Sequence, residues 1–201
     1  MTRSSSTSGY GASADILAAQ YESVTFEEVH RATLHLYPTT PSRVLDLGAG
    51  TGRDAAALAR LGHHVVAAEP VAELRNIGQR LHADVAITWV DDTLPGLGAI
   101  RCSGARFDLV LATAVWMHLK AGEREAAMQS VAGLLAPGAV VAMSLRRGPV
   151  PLGRRMFDVS AAETIALAAR HRLHVVLECE RADMLGRANV RWTSLVLRAS
   201  T

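Results

Sequence analysis

The sequence predicts an α/β fold, a three-layer sandwich in which helices cover both faces of a mostly parallel sheet. Three observations predict it. Strand-like and helix-like segments alternate between residues 43 and 145; a glycine-rich turn joins the first of those strands to the first of those helices; and two strand-like segments close the chain with no helix between them. Alternation implies right-handed crossovers and parallel neighbours, whereas the final pair should form an antiparallel hairpin.

Arg43 to Leu47 suits a buried strand, with β-branched Val44 beside two leucines. Gly48, Gly50 and Gly52 then remove Cβ atoms where the backbone must turn and a ligand must come close. The alanine- and leucine-rich run from Asp54 to Leu61 is a strong helix former, and free N–H groups at its start would face a polar ligand. A dinucleotide fingerprint requires glycine at the first, third and sixth positions. Counted from Gly48, the sixth is Arg53, which disfavours a pyrophosphate cradle.

Upstream, residues 1–12 are serine-rich and are expected to be a disordered tail, leaving 13–201 as the single domain. From Ser13 the apolar spacing (Ile16, Leu17, Tyr21, then Phe26, Val29, Leu34 and Leu36) fits two helices broken near Ser23.

Downstream, His64 to Ala68 reads as a second strand ending at Glu69. An acid some 20 residues past the first glycine is placed to accept hydrogen bonds from both hydroxyls of a ribose. Pro70 ends the strand and Val71 to Leu81 forms a helix. Val85 to Val90 is the third strand, followed by Asp91 and Asp92. One of these is expected to bind an adenine amino group and the other to cap a short helix near Pro95, with Asp91 assigned to adenine. Phe107 to Thr113 is a fourth strand running into Ala114–Leu119. A helix over Glu123–Leu135, a Pro137-Gly138 turn and a fifth strand over Ala139–Leu145 follow. Residues 146–155 fit no regular pattern and hold four arginines: Arg146, Arg147, Arg154 and Arg155. Ser160 should cap a helix to about Arg170, with Glu163 completing a capping box. Leu173–Glu178 and Val190–Arg198 are the closing strands.

Composition narrows the function. Hydrophobic residues at 49% and charged residues at 20% are those of a soluble globular domain. A net charge of +2 gives little support to a nucleic-acid or membrane surface, and neither partner is expected. Cys102 and Cys179 are too few for a disulfide framework or a cysteine-based zinc site, so no metal is expected and a reducing cytoplasm is the simplest compartment. Neither a targeting segment nor an apolar run near the roughly 18–20 residues of a membrane span is expected.

With the turn at 48–52 preceded by Asp46, the acid at 69, the acids at 91–92 and the strand and loop at 107–119, the sequence resembles the class I S-adenosylmethionine (SAM)-dependent methyltransferases over about residues 14–199. The resemblance implies a Rossmann-like, seven-stranded sheet in order 3-2-1-4-5-7-6 with an antiparallel last strand, an N-terminal helical lid, and SAM over the C-terminal strand ends. It also implies a cofactor-contacting set of Asp46, Gly48, Ala49, Gly50, Gly52, Arg53, Glu69, Pro70, Asp91, Asp92, Thr113 and Ala114. The product would be S-adenosylhomocysteine (SAH). His118, just past the fourth strand, is the candidate base. Tyr21, His30, Trp116, His118, Arg146 and Arg147 are the candidate acceptor contacts. Each has a plainer reading: amphipathic-helix residues for Tyr21 and His30, core for Trp116, a structural histidine for His118, a solvated loop for the arginines. No Asn/Asp-Pro-Pro-Tyr motif or Pro-Cys pair indicates a DNA acceptor, and no separate recognition domain is expected. The expected acceptor is a small metabolite, whose carboxylate or phosphate the arginine cluster could bind. The rival expectations are a tRNA- or protein-modifying methyltransferase, and a SAM-binding sensor or partner subunit without transfer. Acceptor identity, the methylated atom and oligomeric state are not legible in the sequence.

Overall fold

The computed structural model describes residues 10–201, except for the side chain of Ala12. Its sheet runs β3-β2-β1-β4-β5-β7-β6, built from β1 (Arg43–Leu47), β2 (His64–Ala68), β3 (Ile87–Val90), β4 (Phe107–Thr113), β5 (Leu135–Arg147), β6 (Leu173–Ala182) and β7 (Arg191–Ala199). The first five strands pair in parallel, and β7 lies antiparallel to both β5 and β6. The expected strand order and sense are therefore those observed. The helices are α1 (Ala14–Glu22), α2 (Phe26–His30), α3 (Arg53–Arg60), α4 (Ala72–Leu81), α5 (Gly98–Cys102), α6 (Ala121–Ala132) and α7 (Ala161–Arg170).

The central strands are apolar on both sides because both faces are covered. In β4 and β5, Val110, Ala112, Val141 and Met143 enter a core with Met128, Val131 and Ala168 from α6 and α7. The alternate residues Leu109, Leu111, Val140 and Ala142 enter a second core with Phe26, Ala55 and Leu58 from α2 and α3. Period-2 alternation thus feeds two hydrophobic layers at once. Each fully buried leucine or valine contributes about 1.5–3 kcal/mol.

Three local expectations are corrected. The Pro137-Gly138 turn lies inside β5: the register with β4 shifts between Phe107 and Leu109, and Gly138 takes up the irregularity at φ +73°. Arg146 and Arg147 are not in a loop but end β5, paired with Trp192 and Arg191 of β7. Ser160 does accept the Glu163 N–H, but the Glu163 carboxylate turns to Arg124 at 2.7 Å instead of closing a capping box. A complete box forms elsewhere, between Thr25 and Glu28 at the start of α2.

The expected tail lies outside the described residues as far as residue 9. From Tyr10 the chain is structured, with a 3-10 turn at Gly11–Ser13 leading into α1. Ala14 and Leu17 of α1 pack on Val71 and Leu74, which anchors this segment over the C-terminal ends of β1 and β2.

Candidate active site

In-register parallel pairing brings the ends of four strands to one edge of the sheet: Leu47 pairs with Ala68, Ala68 with Val90, and Asp46 with Leu111 of β4. The loops that leave these ends open on a cavity of about 480 Å³, the size of a small-molecule site at the carboxyl edge of an open α/β sheet.

Glycine is required at two points of the turn after β1. Gly48 has φ +62°, and a Cβ there would lie 2.6 Å from Val115 Cγ2. Gly50 has φ +60°, with the Tyr21 ring 3.3 Å from where a Cβ would stand. The turn is held by Glu69, which is 4% exposed. One carboxylate oxygen accepts the Gly50 N–H and the other the Val71 N–H, each at 2.8 Å. Burial pushes the Glu69 carboxyl up, against the lowering effect of these two donors. Each oxygen keeps a second lone pair for a ligand hydroxyl.

Behind the turn lies a buried acidic pair. Asp46 lines the cavity, and its Oδ2 has no partner among the described residues. Burial, reinforced by the charge of Asp54, raises the Asp46 carboxyl well above its ordinary value. Asp54 is also buried, but His30 Nε2 at 2.9 Å, Arg53 Nε at 2.7 Å and Thr113 Oγ1 at 3.0 Å converge on it. Against its desolvation, His30 and Arg53 hold Asp54 well below the usual carboxylate range.

The far end of the cavity centres on His118. Its Nδ1 lies 2.9 Å from the Arg155 carbonyl, which can only accept, so Nδ1 carries the ring proton. Nε2 then accepts the Tyr10 hydroxyl, also at 2.9 Å. Burial, followed by the charges of Arg154 and Arg146, lowers the His118 pKa and keeps the ring neutral near pH 7, although the Arg155 carbonyl favours the charged form. Burial likewise raises the Tyr10 phenol.

A family model described as a methyltransferase domain matches residues 17–180. The chain belongs to this family. It is a methyltransferase domain, and its sheet has the strand order that the resemblance to the class I enzymes implied. A demethylmenaquinone methyltransferase of Clavibacter sepedonicus is 31% identical over 133 residues, 61% of this chain and 49% of that protein. The chain thus spans about half the length of this curated relative. Among solved structures, the fold matches the Burkholderia thailandensis 1,6-didemethyltoxoflavin-N1-methyltransferase with bound 1,6-didemethyltoxoflavin and SAH (TM-score 0.69, 22% identity, 94% of this chain and 85% of that one). It also matches the Synechocystis magnesium protoporphyrin IX methyltransferase with bound SAM (TM-score 0.65, 16% identity, 96% and 80%).

The donor set of the methyltransferase cavity fits such a cofactor. The orphaned Asp46 oxygen suits an ammonium group, the Glu69 carboxylate suits paired hydroxyls, and Val71, Leu74, Leu94 and Leu97 form an apolar wall for a base. Of the expected site residues, Asp46, Gly48, Ala49, Gly50, Arg53, Glu69, Pro70, Asp92, Thr113, Ala114, Tyr21, His118 and Arg146 line it.

Five expected residues do not line the cavity. Gly52 instead caps α3 at φ +83°, where a Cβ would strike the Trp89 ring at 2.6 Å. Asp91 points outward to Arg75 at 3.2 Å with its side chain 67% exposed. Asp92 is the acid at the cavity, and it also takes the helix-capping role, accepting the N–H groups of Thr93 and Ile100. His30 is spent on Asp54 and the Tyr37 hydroxyl. Trp116 is fully buried core. Arg147 alternates to the other face of β5 and pairs with Glu180. Arg53 does line the cavity, but its guanidinium is held by Asp54 and the Tyr21 carbonyl. Sequence reasoning missed Tyr10, Arg181, Asp183 and Trp192, which reach the cavity from the two ends of the chain. The period-2 alternation of β6, continued one residue past its end at Ala182, could have flagged Arg181 and Asp183 as same-face neighbours.

Proposed function

We propose that this methyltransferase moves the methyl group of SAM to an oxygen, nitrogen or sulfur of a small, anionic metabolite. One observation carries the reading. A single cavity runs from the Gly48–Gly50 turn and Glu69 to His118 and Arg146, which supports a donor side and an acceptor side within one enclosure. SAM supplies a methyl group activated on a sulfonium. The protein's part is then placement and exclusion of water. In this reading Glu69 holds the ribose, Asp46 the amino group, Asp92 the base, and the Thr113–Ala114 strand end the methionine portion, with Tyr10 and Tyr21 covering the enclosure. The assay is incubation with methyl-labelled SAM and extract of the host, with identification of the labelled product. Labelled small molecules support the reading; label only in RNA or protein, or SAM binding without turnover, overturns it. Calorimetric titration with SAM and NAD is the preliminary, and tighter binding of NAD would also overturn it.

His118 is the base in this reading. Nε2 takes the acceptor's proton, directly or through the Tyr10 hydroxyl that now occupies it. A histidine must be neutral to do so, and its pKa is lowered from 6.5, so kcat should fall only on the acid side of that value. His118→Gln is expected to lower kcat by about 10²-fold and remove that acid limb; a pH profile of kcat checks both.

Asp46 makes SAM binding pH-dependent. Pairing with an ammonium favours the carboxylate, so binding expels the proton that burial holds there. Affinity should rise with pH by up to about tenfold per unit across the raised pKa range, and Asp46→Asn should flatten the slope. Calorimetry at several pH values measures it. The Asp46 contribution to stability of the free protein has the opposite sense: it falls as pH rises from the unfolded value near 3.8 to the raised folded one.

A further inference from the structure

The acceptor end of the cavity carries an excess of positive charge. Arg146, Arg154, Arg181 and Arg187 all line it. Asp183 is the one carboxylate among them, and it is already committed: Arg187 holds both its oxygens at 2.6 and 2.9 Å, and the Trp192 indole N–H donates to it at 2.8 Å. The other three guanidinium groups each keep a buried N–H without a partner among the described residues: Arg146 Nε, Arg154 Nη1 and Arg181 Nε. Arg146 is only 6% exposed, and its head is fixed by the Gly148 and Pro149 carbonyls, which accept hydrogen bonds but bring no charge. Burial, and then the charge of Arg187, weakens the hold of Arg146 on its proton. Buried donors and cations left unpaired are costly, and proteins keep them where a ligand completes them.

The surroundings give the rest of the ligand's chemistry. Arg154 lies 3.8 Å over the Tyr10 ring and Arg181 5.3 Å over Trp192, so the guanidinium planes are held against aromatic faces. Met117 and Met156 also line the cavity.

We infer that Arg146, Arg154 and Arg181 form a subsite for a doubly charged anionic head, a phosphate monoester or a dicarboxylate, on an acceptor whose apolar body lies against Tyr10, Trp192 and the methionines. This rests on the methyltransferase reading and names the acceptor class within it. Neutralisation of two of three cations explains why the arginines are assembled from three separate places: the end of β5, the segment before α7 and β6. It also excludes Arg147, which the alternation of β5 turns away.

The test is calorimetry on the full chain saturated with SAH, using phenyl phosphate, phthalate and phenol as probes. The two dianions should bind and phenol should not, and the tighter dianion identifies the head group. Arg154→Met and Arg181→Met, at partly exposed positions, should each weaken dianion binding at least about tenfold; Arg146→Met should do so more strongly. Arg147→Met is expected to bind like the parent protein. Retained SAH affinity in each variant reports folding and cofactor binding separately. Phenol binding as tightly as the dianions, or unaltered dianion affinity in the Arg154 and Arg181 variants, overturns the inference. Failure of SAH itself to bind overturns the methyltransferase reading instead.

Discussion

Replacing Glu69 by glutamine should weaken SAM binding by about 10²-fold or more, although the two side chains have nearly the same shape. The carboxylate accepts two backbone N–H groups, from Gly50 and Val71, one on each oxygen. A glutamine has one oxygen and one NH2, so one of those buried N–H groups would meet another donor. Hydrogen bonds to a charged acceptor contribute about 1.5–3 kcal/mol each, and an unsatisfied buried donor costs about 1–3 kcal/mol. The glycine turn would therefore lose its anchor, and any ribose hydroxyl its acceptor. Calorimetry with SAM measures the change. An affinity within threefold of the parent would mean that neither the bracing of the turn nor a contact of Glu69 with the cofactor contributes to binding.

Gly78→Ala should lower stability by about 2 kcal/mol and Tm by about 4–8 °C. Helix propensity alone requires the opposite sign, since alanine is favoured over glycine by about 1 kcal/mol in a helix interior. Gly78 lies within α4, but a Cβ there would run into the Thr51 carbonyl oxygen and lie 2.6 Å from the Trp89 ring. Both obstacles are rigid, one being backbone and the other a wide aromatic. The same change at Gly122 in α6, where nothing stands within 4 Å, should raise stability by up to about 1 kcal/mol. Thermal unfolding of the two variants separates the explanations: a Tm that rises in both would remove the packing argument. Displacement of Thr51 would also disturb the turn, so Gly78→Ala should weaken SAM binding as well.

The fold was legible because its signals are local and periodic. Five apolar strands at helix-length spacing leave little choice but a parallel sheet, and the adjacent last pair little but a hairpin. The bounds of β1, β2 and β4 follow from where apolar runs meet glycine, Pro70 or the 114–119 loop. Element ends slipped where tertiary pairing overrode a local signal. Pro137-Gly138 resembles a turn in isolation, yet β4 pairs with Leu135 before it and with Val140 after it and carries β5 through as a bulge.

For the site, the sequence by itself determined the parts that depend on chain order: the glycine turn, the acid nineteen residues after Gly50 that accepts its N–H, and the loop bearing His118. A residue one step beyond a strand end must lie at the sheet's carboxyl edge, so its position follows from its number. The tertiary structure alone decided direction and company. Asp91 and Asp92 are neighbours with the same chemistry, and so are Arg146 and Arg147. In each pair one faces the cavity and one faces away, because successive side chains of an extended backbone point to opposite sides. His30 and Trp116 have functional chemistry, but Asp54 claims the first and the core encloses the second. Tyr10, more than a hundred residues from His118, reaches it only because α1 packs on α4. Burial and partner choice depend on distant segments arriving together, and no local pattern encodes that arrival.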